Sequence, residues 1–293
     1  MKRDGAGALA SKLAARLGSP VVHSRAASGG DINTASRVEL ADGRVLFVKS
    51  QTAALPGLFP SEASGLAWLR EASALRIPEV HLASDADELG PACLVLEHIQ
   101  VGRRGPQHDE QLGAGLAALH RAGADHFGLG YDNYLATLTQ NNRAAERWAE
   151  FYGERRIRPL TERAARQGHL DARLTRRVET LIARLPELVG PDEPPARLHG
   201  DLWSGNALCD EHGAPVLIDP AVYGGHREID LAMMRLFGGF SERVFAAYAA
   251  AYPLAPGHTE RVALYQLYPL LAHVNLFGSS YVSGVERCVA AWV

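Results

Sequence analysis

Three polar residues in one short stretch have the types and the spacing of a phosphoryl-transfer site. Asp201 and Asn206 stand five apart in Leu198-His199-Gly200-Asp201-Leu202-Trp203-Ser204-Gly205-Asn206, and Asp219 follows the apolar run Val216-Leu217-Ile218. Phosphoryl transfer spreads negative charge over the equatorial oxygens of the migrating group, and Mg²⁺ held by hard oxygen ligands neutralises it. The Asn206 carbonyl and the Asp219 carboxylate are the candidate ligands. Asp201 is the candidate base, placed to accept the proton of an attacking hydroxyl and to orient it in line. A surface loop between two buried strands would read similarly in part. A lone His-x-Asp triplet arises often by chance, but the complete pattern with its trailing apolar-Asp step is far rarer. His199 is expected to brace the loop backbone by a hydrogen bond and to take no part in chemistry.

A catalytic loop of this kind needs a phosphate anchor. Lys49 ends the strand Phe47-Val48-Lys49, and Glu62, thirteen residues later in the first turn of a predicted helix, is placed to pair with it. Without the downstream motif, Lys49 would read as a surface lysine on an edge strand. Between two candidate strands lies Ser28-Gly29-Gly30-Asp31-Ile32-Asn33. There Gly29, Gly30 and Asp31 would lay backbone N–H groups on phosphate oxygens. The nucleotide is expected between two lobes, at a hinge formed by Glu97, His98 and Ile99.

The elements that must position these groups follow from pattern. Residues 20–23, 35–40 and 44–49 read as strands, the last two joined at Asp42-Gly43. Pro60-Ser61 is expected to cap a helix that carries Ala63, Leu66, Ala67 and Leu69 on one face and stops before Pro78. Residues 92–99 read as a buried strand, and the breaker cluster Gly102-Arg103-Arg104-Gly105-Pro106 as the lobe boundary. Helices are expected over 109–121, 143–167, 170–188, 229–237, 242–251 and 260–277, with the arginines of the second and third on solvated faces. The fold class is therefore α+β. Residues 1–100 form a small β-rich nucleotide-binding lobe with one helix, and residues 101–293 a larger, mainly helical catalytic and substrate-binding lobe.

Composition narrows the partners. A chain of 293 residues, 47% hydrophobic and 22% charged, has the make-up of an ordinary globular protein. Its net charge of -3 argues against nucleic acid, which calls for a basic face. Cys93, Cys209 and Cys288 are odd in number and far apart, supporting neither disulfides nor a zinc site and fitting a reducing cytoplasm. No run approaches the ~20 apolar residues of a membrane helix, and the N-terminal stretch lacks the apolar core of a signal peptide.

With these motifs in view, the chain resembles the fructosamine kinase (ketosamine-3-kinase) family, relatives of aminoglycoside and choline kinases. The resemblance runs over nearly the whole chain. It is carried by Gly29 to Asn33, Phe47-Val48-Lys49, Phe59 to Ala63, Phe127-Gly128, Asp132-Asn133-Tyr134, His199 to Asn206 and Ile218 to Met233. Its more specific parts are Asp201-Leu202-Trp203, Tyr223 to Glu228, Leu236 to Phe240 and His273 to Gly278. It implies a bilobal protein-kinase-like fold using ATP and Mg²⁺ to phosphorylate the 3-hydroxyl of a ketosamine, on a small molecule or a protein. The product would decompose to release the free amine, a deglycation repair. Asp201, Trp203, Tyr223, His226, His273 and Asn275 are the implied substrate residues. The Trp203 indole suits the C–H face of a sugar, and equally a core position under the loop. Some members carry cysteine where this chain has Asp31, and a redox bridge between subunits at that position is therefore not expected. Other acceptors of this kinase class are aminoglycosides, choline and homoserine. A metal-dependent hydrolase built on His199, Asp201, His226 and Asp230 is the reading from another class, and it leaves Lys49, Glu62 and the Gly-rich loop without a role. A regulatory pseudokinase is disfavoured because every catalytic position is filled. No motif encodes the amine or the oligomeric state.

Overall fold

The computed structural model describes residues 2–27 and 34–293. Gly29, Gly30 and Asp31 lie outside the described residues. A five-stranded antiparallel sheet in the order β1-β2-β3-β5-β4 comprises β1 (Val21–Ala26), β2 (Thr34–Leu40), β3 (Val45–Gln51), β4 (Val80–Ser84) and β5 (Ala92–Glu97). β2 and β3 meet at the Asp42-Gly43 turn, where Gly43 takes φ +88° and the Arg44 N–H donates to the Asp42 carboxylate at 3.0 Å. Alternation sorts the two faces of the sheet. Val38, Leu40, Leu46, Val48, Cys93 and Val95 pack with Leu13 of α1 (Lys2–Leu17), while Leu94 and Leu96 pack with Phe59, Leu66 and Leu69 of α2 (Leu58–Glu71).

Two features of this part differ from the expectation. α1 was not foreseen: Leu9, Leu13 and Leu17 form a narrow stripe amid alanines and glycines, and Lys12 fastens the helix by donating to the Asp85 carbonyl at 2.8 Å and the Pro91 carbonyl at 2.9 Å. The β-rich part therefore holds two helices. α2 starts earlier than Pro60-Ser61, after Gly57 at φ +72°. Pro60 sits inside the first turn, where no backbone N–H is needed.

The rest is mainly helical: α3 (His108–Arg121), α4 (Trp148–Phe151), α5 (Arg158–Arg166), α6 (Ala172–Leu188), α7 (Glu228–Leu236), α8 (Glu242–Ala251), α9 (His258–Phe277) and α10 (Val282–Ala290). Short antiparallel pairs join them: the hairpins β6 (Asn133–Leu135) with β7 (Leu138–Gln140) and β9 (Ala207–Cys209) with β10 (Pro215–Leu217), and the longer-range pair β8 (Ala196–Leu198) with β11 (Tyr223–Gly225). One apolar cluster runs from Leu66 and Leu94 through Leu112 and Leu116 to Leu202, Leu217, Leu231 and Val244, so the sheet and the helical part share a core. No helix among the described residues is long and apolar enough to cross a membrane.

The helix expected over 143–167 begins only at Trp148, because Ala145 is held extended in a bridge to Phe127. It is then interrupted by a π-helical turn, Tyr152–Ile157. That turn carries Arg156 inward instead of onto a solvated face. Its guanidinium lies 4.5 Å above the Phe151 ring and 4.0 Å above the Tyr223 ring, and donates to the Asn141 carbonyl at 2.8 Å and to Asn142 Oδ1 at 2.6 Å. Removing it would leave buried acceptors unpaired and a void between aromatic rings. Arg156→Ala is expected to cost about 3–5 kcal/mol in urea unfolding, with Arg156→Lys restoring less than half because an ammonium lacks the planar face. A variant unfolding at the wild-type midpoint would refute this account of the turn.

Candidate active site

The residues singled out for chemistry come together where three elements meet. Lys49 lies on the α2-facing side of β3, and its Nζ is 2.6 Å from Glu62 Oε1 on α2 and 2.7 Å from Asp219 Oδ1. Burial alone would depress the ammonium, but the two carboxylates outweigh it and hold Lys49 above the ordinary lysine range. Glu62 moves upward, first through burial and then through repulsion from Asp219, against the pull of Lys49. Asp219 itself takes φ +55°, a conformation unfavourable for a side-chain-bearing residue and characteristic of strained functional positions.

Asp201 is carried by the loop between β8 and β9, Asp219 by the segment between β10 and β11. The two are bound together: the Ile218 N–H donates to the Asn206 carbonyl at 3.0 Å and the Ala221 N–H to the His199 carbonyl at 2.9 Å. Gly200 makes the crossing feasible, since at φ +83° an added Cβ would stand 2.0 Å from the Ala221 carbonyl oxygen. Asn206 Nδ2 donates to the Asp201 carbonyl at 2.8 Å and to its Oδ2 at 3.2 Å. The amide is thereby turned so that Oδ1 has no protein partner among the described residues. Burial first, and the charge of Asp219 second, push the Asp201 carboxyl up to about 7, with the Asn206 hydrogen bond opposing them.

Beneath the loop sits a buried carboxylate that the sequence reading placed only in the hydrolase alternative. Asp230 on α7 accepts from the backbone N–H groups of His199 at 2.8 Å and Gly200 at 2.9 Å, and from His120 Nε2 at 3.2 Å. His120 in turn meets the Tyr248 hydroxyl at 2.8 Å. His199 braces the same loop: Nε2 faces the Ile218 carbonyl at 2.9 Å, while Nδ1 accepts from the Asp201 N–H at 3.2 Å. Nε2 is thus the protonated nitrogen, and burial holds the ring's pKa low despite Asp230.

These groups open on a cavity of about 490 Å³, lined by Lys49, Glu62, Asp201, Trp203, Asn206, Asp219 and His273 among others. Trp203 is 42% exposed, its indole folded back over Gly205, so it is not a core residue. Tyr223, His226 and Asn275, expected as substrate residues, do not line this cavity. Tyr223 faces inward from β11 against Phe151 and Arg156. His226 stacks on Tyr265 at 5.3 Å. Asn275 donates to the Leu160 and Leu271 carbonyls at 3.0 and 2.8 Å, tying α9 to α5. Glu97, His98 and Ile99 stand at the end of β5 outside this lining. Glu97 spends its carboxylate on Arg76 at 2.7 Å, whereas the Ile99 backbone N–H and C=O have no partner among the described residues. The hydrolase set does not assemble, since His226 faces Glu193 and Tyr265 while Asp230 is consumed by backbone donors. Residues the sequence reading did not assign include Phe237, Tyr268, Phe277 and Tyr281, all on the cavity wall. Phe237 and Phe277 lay within the family-specific motifs; nothing marked Tyr281.

Fold and site together define a kinase-like phosphotransferase. The gentamicin-APH(2″)-IIa complex superposes with a TM-score of 0.63 over 96% of this chain and 93% of that one at 14% identity, a likeness of fold alone. The family model for fructosamine kinase matches residues 7–293, and the chain belongs to that family. A ketoamine kinase of Enterococcus faecium, so named as probable, is 39% identical over 88% of this chain and 91% of its own. A solved structure titled as a candidate fructosamine-3-kinase from Thermobifida fusca shares 41% identity and a TM-score of 0.89, covering 97% of both chains. Membership in a kinase family implies use of ATP.

The raised Asp201 carboxyl has a measurable consequence for stability. Between the usual carboxylate range near 4 and about 7, the folded protein keeps a proton that the unfolded chain has released, so rising pH across that window lowers stability. In chelator and without nucleotide, Asp201→Asn should be more stable than wild type by as much as about 4 kcal/mol at pH 8, the difference vanishing near pH 4. A pH-independent difference in unfolding midpoint would contradict this.

Proposed function

We propose that the protein transfers the terminal phosphoryl group of ATP to the 3-hydroxyl of a ketosamine, with the nucleotide held between residues 1–100 and 101–293. The observation that carries the proposal is a half-buried base, Asp201, set beside an amide oxygen and a carboxylate suited to Mg²⁺ and within one cavity of the Lys49–Glu62 pair. Lys49 would hold phosphate oxygens, and the unpartnered Ile99 backbone groups would take the edge of the adenine ring. The free Oδ1 of Asn206 and the strained, partly exposed carboxylate of Asp219 fit a hard cation. When bound, Mg²⁺ would screen the charge that develops on the phosphoryl oxygens.

Asp201 acts on the acceptor. Its Oδ2 is held by Asn206, and its carboxylate accepts the hydroxyl proton as the substrate oxygen bonds to phosphorus and the bond to the ADP oxygen breaks. Trp203, exposed two residues further along, offers an apolar face to the sugar ring. A 3-phosphorylated ketosamine would break down to release its amine, which makes the activity a repair of sugar adducts.

Fructosamines and ribulosamines should be phosphorylated with consumption of ATP, in preference to an aminoglycoside, choline or homoserine. Phosphorylation of one of the latter alone would replace the substrate assignment. Asp201→Asn should lower kcat by ~10²–10⁴ with little change in ATP affinity, since the carboxylate addresses the hydroxyl and not the nucleotide. Trp203→Ala should raise KM for the ketosamine by roughly 5- to 150-fold while KM for ATP stays near wild type. Equal changes in both constants would withdraw Trp203 from the sugar.

A further inference from the structure

We propose that the outer cavity wall formed by Phe237, His273, Phe277 and Tyr281 seats the amine part of the acceptor. It selects adducts whose nitrogen bears an apolar or aromatic group and no nearby carboxylate. The inference rests on the ketosamine reading above and names the class of amine that reading left open.

Large apolar side chains stand exposed on a folded surface for a reason when they gather. Phe277 is 52% exposed, and Phe237 and Trp203 are each 42% exposed, all three on the lining of this one cavity. Phe237 and Phe277 converge on the His273 ring, at centroid distances of 4.8 and 5.4 Å, and Tyr281 closes on it at 4.9 Å. His273 adds no charge: its Nδ1 donates to the Pro269 carbonyl at 2.7 Å, and burial holds its pKa low. The wall adjoins the catalytic loop, because the backbone at Gly239, two residues after Phe237, packs so closely on Ser204 that an added Cβ would lie 2.5 Å from its side chain. An acceptor with its hydroxyl at Asp201 thus has aromatic faces beside it.

Charge decides what those faces receive. Lys49 is the only lysine or arginine on the cavity lining among the described residues, and it is engaged by Glu62 and Asp219. Residues 28–33, Ser-Gly-Gly-Asp-Ile-Asn, bring no cation either. Arg104 stands outside the lining, with its guanidinium 3.5 Å from the Gly239 carbonyl. A carboxylate next to the ketosamine nitrogen would therefore meet Asp201 and Asp219 with no counter-charge. The nitrogen itself is a secondary amine, protonated near neutral pH, and a cation over aromatic faces is favoured.

The test compares three fructosamines, those of benzylamine, glycine amide and glycine, which separate ring from charge. For the wild type, kcat/KM should fall in that order. Phe277→Ala should lower kcat/KM for the benzylamine adduct by roughly 3- to 30-fold, with KM for ATP and melting temperature near wild type. Phe277→Arg should raise the glycine adduct above its amide. Turnover of all three adducts with equal kcat/KM, unaltered by either substitution, overturns this inference and leaves the ketosamine reading standing. Turnover of none of them overturns both.

Discussion

Among the described residues, three carboxylates, those of Glu62, Asp201 and Asp219, share one cavity with a single ammonium, that of Lys49. Like charges gathered in a partly desolvated cleft repel, and each needs either a partner or a proton. Glu62 and Asp219 take Lys49 as partner, and Asp201, left with an amide donor, takes the proton near neutrality. The arrangement suits phosphoryl transfer because cations and a proton donor are the species the reaction brings. On the proposed reading, the direct contact between Lys49 and Asp219 holds both groups in place of the phosphate oxygens and metal ion that would replace it. Each would then exchange one counter-charge for another, so neither would have to be stripped bare in the cleft.

Such repulsion must be held by something else, and the apolar cluster that spans the molecule does so. Each polar group of the site is tied through the backbone to one of its members. Asp201 precedes Leu202, Asn206 precedes Ala207, and Asp219 lies between Leu217 and Val222. Glu62 is one helical turn from Leu66, and Lys49 is paired across the sheet with Leu94. Asp230 completes the scaffold by satisfying two loop N–H groups that would otherwise be buried unpaired. Its own pKa is lowered although burial pushes upward, because His120, His199 and the backbone donors together prevail. The polar bracing and the apolar packing thus fix one geometry from two sides of the loop.

What was legible in the sequence were groups whose placement is set by neighbours along the chain: the His199 to Asn206 loop, Asp219 after its apolar strand, the Asp42-Gly43 turn, and Lys49 with Glu62. What was not legible depended on contacts between distant segments. The late start of α4 at Trp148 follows from the pinning of Ala145 by Phe127, and α1 is stabilised by carbonyls more than seventy residues away at Asp85 and Pro91. Tyr223, His226 and Asn275 lie in the same motifs as true cavity residues, yet a motif does not state which way a side chain faces. Asp230 was singled out only through the disfavoured hydrolase alternative, since a buried carboxylate that binds backbone and one that binds metal look alike in sequence.

The same reasoning separates the two ends of the cavity. At the inner end the chemistry is electrostatic, and position is controlled by ion pairs and a strained backbone at Asp219. At the outer end rings replace charges, and position is controlled by faces that accept many shapes. Phosphoryl transfer tolerates little displacement of the reacting hydroxyl, because catalysis there rests on alignment and field. On the proposal above, an amine that bears an apolar group and no nearby carboxylate would need only to lie against this wall. On the proposed reading, a site so divided would hold the sugar strictly while admitting a range of apolar amines, a discrimination suited to a repair activity on sugar adducts.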